Sequence, residues 1–272
     1  MELIKELRHK TGVGVGKCKE ALEETHGNLD EAVALLRKKG IATAVKKEDR
    51  EAKEGLIGVG ETDKCVAFVE VNAETDFVVQ NERFLKFLQL VAQEAAKTSP
   101  ADVESFLKQK SHDGSTIDEL RASVIQAIGE NIQISRLLVI PKSSHKTVGF
   151  YSHMGGKVVT AVVIEGDDKQ ANLAKEISMH IAAAAPEYLV PEEVPEKIIQ
   201  QEREIAKEQM KGKPDEIIEK ILVGKMNKFY DDVCLTRQKY IKDDSISIQD
   251  MVKKAGSGLK LSQFLRWQVG QK

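Results

Sequence analysis

Cys65-Val66-Ala67-Phe68-Val69-Glu70-Val71, running on through Asn72-Ala73-Glu74-Thr75-Asp76-Phe77-Val78, is the stretch that sets the reading of the fold. Its first half is an apolar run of strand character and its second a polar turn, with a helical pattern resuming at about Asn81. A Phe beside an Asp in such a connection stands out. Loops run over the surface, where a large aromatic gains nothing unless something covers it. Phe77 either folds back as a plug beneath the turn or is offered to a partner. Local sequence favours the plug, because most aromatics of ordered domains are buried.

Outward from this stretch the pattern is α+β. Gly55 to Glu61 and Cys65 to Asn72 are β-rich runs separated by Thr62-Asp63-Lys64, a hairpin signal. Two apolar helical faces follow, Phe84, Leu85, Leu88, Val91 and Ala92, then Leu120, Val124, Ile125 and Ile128. Ile132 to Ile140 reads as a strand ended by Pro141. The pattern then returns: Val148 to His153, a Met154-Gly155-Gly156 turn, Lys157 to Glu165, and an apolar helix from Leu173 to Ala185. Laying Lys64-Cys65-Val66 over Lys157-Val158-Val159 aligns both hairpins and both helices at an offset of 93 residues. This is an internal structural repeat, and two such units are expected to pack about a pseudo-twofold axis.

Residues 1–54 read as a small helical domain. Leu3, Ile4 and Leu7 share one face of a first helix, closed by Thr11-Gly12-Val13-Gly14-Val15-Gly16. Lys17 to Thr25 is a second helix. Asn28-Leu29-Asp30-Glu31 has the form of a capping box for a third, which the pattern ends at Lys38-Lys39-Gly40. The charged run Lys46 to Glu54 reads as a linker or an extended solvated helix. So small a module buries little surface and suits an adaptor that docks on something larger. The repeat occupies residues 55–141 and 142–185. Residues 186–230 interrupt it as a helical hairpin, with Pro191 and Pro195 suited to first-turn positions and Lys211-Gly212-Lys213-Pro214 as the turn. Arms of about 16 residues reach about 24 Å at ~1.5 Å per residue. Residues 231–272 return to the second unit, with a short helix near Ile246 to Val252 and a closing strand over Phe264 to Val269.

Composition removes several function classes. The 41 basic and 43 acidic residues nearly cancel to a formal net charge of −2, which argues against a general nucleic-acid binder. With 31% charged and 5% aromatic residues, the chain fits a soluble, helix-rich protein. Cys18, Cys65 and Cys234 are odd in number and lack CxxC spacing, so neither a disulfide framework nor a thiolate metal site is expected. The amino terminus lacks a continuous apolar signal region, and runs such as Val158 to Ile164 are too short to cross a bilayer. A cytosolic protein without membrane association is expected.

No active site emerges. The six histidines show no HxxxH or HExxH spacing. Gly12-Val13-Gly14-Val15-Gly16-Lys17 invites a phosphate-loop reading, but Cys18 stands where Ser or Thr is required and no strand precedes it. Neither GxSxG nor a Cys-His arrangement supports nucleophilic catalysis. No direct nucleotide binding, metal, cofactor or enzymatic activity is expected.

Three segments together resemble one family. They are Leu7-Arg8-His9-Lys10-Thr11-Gly12 with Cys18-Lys19-Glu20-Ala21-Leu22, Glu70-Val71-Asn72 with Thr75-Asp76-Phe77-Val78, and Ile128-Gly129-Glu130-Asn131-Ile132. Their order and spacing resemble elongation factor Ts, the guanine-nucleotide exchange factor for elongation factor Tu. The resemblance spans nearly the whole chain. It departs at Val15-Gly16-Lys17, where the family commonly has Met-x-Asp, and at the carboxyl end, where the helical extension of some members is not expected.

The resemblance implies a UBA-like N-terminal domain, a repeated α+β core and an inserted antiparallel helical hairpin. It implies that Asp76 and Phe77, flanked by Thr75 and Val78, are presented to the partner's nucleotide-binding domain. There Phe77 would wedge between helices and dislocate the Mg²⁺ and phosphate groups. It implies further partner contacts at Lys19, Lys47, Ile128, Gly129, His153 and, through Gln238-Lys239-Tyr240-Ile241, at Ile241. Lysines 19 and 47 read equally well as solvated, His153 as a surface turn residue and Ile128 as core. The partner it implies is elongation factor Tu, GDP-bound or nucleotide-free, and self-association through the hairpin stays open. With the resemblance, the wedge displaces the plug as the reading of Phe77. The second hairpin enters its helix through Gly166-Asp167-Asp168, without an aromatic, so one copy alone carries it. An adaptor without exchange activity is the alternative, and a hydrolase or transferase with an unrecognised site the third.

Overall fold

The computed structural model describes residues 1–210, 212 and 214–271 and is α+β. It resolves into two compact units. One comprises Met1–Pro141, Met154–Lys157 and the residues from Gln268 onward; the other comprises Lys142–His153 and Val158–Trp267.

The first unit opens with three helices, α1 (Glu2–Thr11), α2 (Val15–Glu24) and α3 (Leu29–Val45). Gly12 ends α1 in the left-handed conformation (φ 71°) and donates its N–H to Arg8 O, the arrangement in which glycine carries no Cβ penalty. The three helices enclose Leu7, Val13, Cys18, Ala21, Leu22, Ala32 and Leu36. Asn28 caps α3 by accepting from the N–H groups of Asp30 (3.1 Å) and Glu31 (3.2 Å). Glu31 reaches back to the Asn28 side-chain amide (2.8 Å), since the Asn28 backbone N–H already donates to Thr25 O.

Helix α3 does not stop at Lys38-Lys39-Gly40. It continues to Val45 and takes in Ala44 and Val45. Gly40 is buried in mid-helix because a neighbouring helix passes close by: a Cβ there would sit 3.0 Å from Gln126 Oε1 and 3.5 Å from Ala122 O. The glycine serves close packing, and packing overrides its low helix propensity.

The same unit continues with β1 (Glu54–Glu61), β2 (Cys65–Ala73), α4 (Asp76–Val79), α5 (Glu82–Thr98), α6 (Val103–Lys108), α7 (Ile117–Ile128) and β3 (Ile132–Pro141). The strands form one antiparallel sheet in the order β1-β2-β3. Every residue of β2 is buried, which explains why its first half, Cys65 to Val69, is a continuous apolar run rather than an alternation. Helix α5 lays Phe84, Phe87, Leu88, Val91, Ala92 and Ala95 into the core shared with Phe106, Ile117 and Ile125. Gly60 permits that close approach, since a Cβ would collide with the Ala92 carbonyl. The β2–β3 register shifts between Glu70 and Val71. Beside that irregularity the buried Glu70 pairs with Arg136 at 2.7 Å and accepts from Asn72 Nδ2 (3.0 Å) and the Gly270 N–H (3.1 Å).

The second unit contains β4 (Lys146–His153), β5 (Val158–Glu165), α8 (Ala171–Ala184), α9 (Glu196–Glu208), α10 (Asp215–Val233), β6 (Lys239–Tyr240), β7 (Asp243–Ser247), α11 (Ile248–Ala255) and β8 (Lys260–Gln268). Its main sheet is ordered β4-β5-β8. Each unit therefore has a hairpin, a following helix, and a third strand beside the hairpin's second strand. Strand β2 starts at Cys65 and β5 at Val158, the offset of 93 read from the sequence. Val162, Ile164, Ala174, Ile177, Ile181, Leu235, Ile248 and Val252 form the core. Helices α9 and α10 share a small core of Ala206, Met210, Leu222 and Met226, with Lys207 paired to Glu219 at 3.3 Å. Helix α10 runs to Val233, past the boundary expected at residue 230. Pro195 is the N-cap of α9, while Pro191 opens a separate 3-10 turn, Pro191–Glu193. Lys211 and Lys213 of the expected turn lie outside the described residues.

Candidate partner-binding loop

The segment after β2 is not an irregular turn. Asp76–Val79 forms α4, a single helical turn with Thr75 as its N-cap. Its register splits neighbours to opposite sides. Val78 and Val79 are buried in the core of the first unit, whereas Phe77 is 84% exposed. The plug reading of Phe77 fails, because the two valines take up the space beneath the turn. Leaving a large apolar side chain in water forgoes about 1.5–3 kcal/mol of burial, so this conformation is held by other contacts.

Those contacts come from the turn after α7. Gly129 ends α7 with φ 93°. Glu130 then accepts two hydrogen bonds from Thr75: Oε2 from the backbone N–H at 3.0 Å and Oε1 from the hydroxyl at 2.7 Å. The Asn131 N–H donates in turn to Glu74 Oε1 at 2.6 Å. The Asn131 side-chain amide donates to Glu48 O (3.3 Å) and Arg50 O (2.7 Å), and Arg50 lies 3.6 Å from Glu74. Lys47 Nζ donates to Gly129 O. Residues 47–50, 74–75 and 129–131 are thus clasped together beside α4.

The site residues expected from the sequence divide accordingly. Asp76 and Phe77 are exposed at the start of α4. Thr75 is half-buried, its hydroxyl engaged by Glu130 rather than capping the helix. Val78, 8% exposed, packs into the core and anchors the turn from below. Ile128 is half-buried and packs on the core, while Gly129 is exposed beside Lys47. Lys19 is a solvated residue of α2, 3.7 Å from Glu23.

His153 and Ile241 belong to the second unit. His153 is exposed at the end of β4, its Nδ1 3.4 Å from Tyr151 Oη. Ile241, 47% exposed, sits at the tip joining β6 and β7. Its neighbours are fixed: the Tyr240 hydroxyl and Lys242 Nζ both donate to Glu176. Those two bonds, Lys242 first, hold the Glu176 carboxyl below the usual carboxylate range. Beneath them the buried His180 Nε2 bonds Gln238 Oε1 at 2.9 Å.

The roles of Glu130 and Asn131 were not assigned from the sequence. Both lie within the Ile128–Ile132 segment that marked the family resemblance, yet their partners are 55 and 57 residues away. Among the described residues no group of three or more His, Cys, Asp or Glu side chains is placed to hold a metal ion, and no helix is long and apolar enough to cross a membrane.

Comparison with known proteins bears out the family resemblance. The profile of the family described as Elongation factor TS matches residues 74–271, starting at the clasped loop. The chain is 57% identical to elongation factor Ts of Protochlamydia amoebophila over 275 residues, covering 99% of this chain and 98% of that protein. It is 45% identical to elongation factor Ts of Chlamydia muridarum over 276 residues, with the same coverage. These findings place the chain in the class of translation elongation factors. Within that class it belongs to the elongation factor Ts family.

Proposed function

We propose that this chain is a guanine-nucleotide exchange factor that binds elongation factor Tu carrying GDP and accelerates GDP release, leaving elongation factor Tu nucleotide-free. The observation that carries this reading is Phe77, 84% exposed on a turn seated by two buried valines. An aromatic held out of the core keeps its burial free energy for a partner, and a backbone already seated in its turn leaves less to order on docking. Asp76, beside it, accepts hydrogen bonds that fix the docked geometry. Phe77 enters between helices of the partner's nucleotide-binding domain and displaces the groups that hold Mg²⁺ and phosphate. Magnesium demands near-ideal octahedral geometry, so a small displacement weakens GDP by several factors of ten, each about 1.4 kcal/mol.

No bond is made or broken by this chain, and no cofactor enters. Coupling is reciprocal: GDP weakens the grip of this chain on the partner by the same factor that this chain weakens GDP. Returning nucleotide therefore expels it. Thr75 and Val78 are proposed to flank the wedge in the docked loop. Lys19, Lys47, Ile128, Gly129, His153 and Ile241 are proposed as outlying contacts, the first three helices as a UBA-like docking module, and α9–α10 as the hairpin insertion. Both proteins are proposed to meet in the cytoplasm.

The test is release of labelled GDP from elongation factor Tu with and without the chain. Acceleration at micromolar concentration, lost in Phe77→Ala, is the expected result. An unaccelerated release rate overturns the reading in favour of an adaptor.

A further inference from the structure

A four-residue helix does not hold its own shape, because helices shorter than about 12 residues are marginal in isolation. Helix α4 also lacks the usual aid of a capping side chain. The Thr75 hydroxyl, which would ordinarily accept from the first turn, instead donates to Glu130. Both oxygens of one carboxylate are thereby used on one residue, at 3.0 and 2.7 Å, and hydrogen bonds to an ionised acceptor are the stronger kind. The next residue returns the grip, with the Asn131 N–H on the Glu74 carboxylate at 2.6 Å. The buried valines fix α4 from below. The Glu130 bonds fix where its N-terminus points, and Phe77 is the second residue of that turn.

We propose that Glu130 is a positioning residue for Phe77: its two bonds to Thr75 set the direction in which the aromatic leaves the surface, and exchange depends on them. This rests on the reading of the loop as the docking element. Glu130 acts through Phe77 and need not touch the partner. The contact is only half-buried, and the core beneath it, with Ile125, Ile132, Val78 and Val79, does not require it.

The experiment is a double-mutant cycle on accelerated GDP release, using the full chain with Glu130→Ala, Phe77→Ala and both. Hydrogen exchange at the Thr75 amide is measured alongside. The expected result is a loss of about tenfold in acceleration for Glu130→Ala and faster exchange at Thr75, with no further loss when Glu130→Ala is added to Phe77→Ala, since residues acting as one unit are non-additive. Losses that multiply in the double variant overturn the proposal, because Glu130 then acts independently of Phe77. Acceleration unchanged in Glu130→Ala while lost in Phe77→Ala overturns it and leaves the loop reading intact. Acceleration unchanged in Phe77→Ala overturns the loop reading and the proposal together. Should Glu130→Ala fail to fold, Thr75→Val replaces it in the same cycle, since it removes the hydroxyl that donates to Glu130 while keeping the shape of the side chain.

Discussion

Phe77 and Val78 are consecutive residues of one helical turn, yet Phe77 is 84% exposed and Val78 only 8%. The Val78 side chain lies among the sheet and helix residues of the first unit, and the aromatic beside it contributes nothing to that core. The loop is thereby divided into an anchor and a free tip, and the two should respond to substitution in opposite ways.

Truncating the tip, Phe77→Ala, should leave thermal and denaturant stability within about 0.5 kcal/mol of the unchanged chain, as surface substitutions usually do. GDP release from elongation factor Tu should lose most of its acceleration. Truncating the anchor, Val78→Ala, should cost about 1–3 kcal/mol of stability. Denaturant titrations of both variants check this, and equal stability losses would show that Phe77 is part of the core after all.

The close passage at Gly40 gives a second expectation. Gly40→Leu drives a side chain against Gln126 and the Ala122 carbonyl and should destabilise the first unit by about 1–3 kcal/mol through overpacking. Gly40→Ala should lie within about 1 kcal/mol of the unchanged chain, because the gain in helix propensity opposes a shift of the flexible Gln126. A Gly40→Leu protein as stable as the original would remove the packing explanation for a glycine in mid-helix.

Glu70 is buried against Arg136. Arg136→Met should cost about 3 kcal/mol or more, because it leaves a buried carboxylate without its cation. Adding Glu70→Gln should recover part of that loss, since a neutral amide costs less to bury. Unfolding midpoints of the single and double variants decide it, and a double variant no better than the single one contradicts the desolvation argument.

His180 supplies a pH dependence. Burial holds its imidazole below the ordinary range, against a smaller opposing effect of the bond to Gln238. The unfolded chain therefore takes up the proton first as pH falls below about 6.5. The contribution of His180 to stability is complete above that pH and is lost as pH falls towards the lower folded value. Carboxyl groups held low, such as Glu176, act only nearer their unfolded value of about 4.3. The melting temperature should thus decline between pH 7 and 5, and the His180 ring should titrate below 6.5 by NMR. A ring titrating at or above that value excludes this origin.

Much of the architecture was legible in short range. The apolar run from Cys65 to Val69 read as a strand, which β2 is. Asn28 caps the helix that follows it, and a helix does resume after Asn81. Gly12 closes α1, and the offset between Cys65 and Val158 marked the repeat. Each of these depends on groups within a few residues of one another, where backbone sterics and local hydrogen bonds decide. The exposure of Phe77 was different. Thr75-Asp76-Phe77-Val78 is compatible with an aromatic turned in or out, and local sequence favoured turning it in. The choice was made by Val78 and Val79 filling the space below and by Glu130, 55 residues from Thr75 along the chain, holding the turn from the side. Likewise Gly40 reads as a helix end until Gln126, in another helix, is found against it. Short-range rules determine which segments become helices and strands. Which side of a turn faces water is settled only when distant segments compete for the same space and the same hydrogen-bonding groups, and that competition exists only in the folded chain.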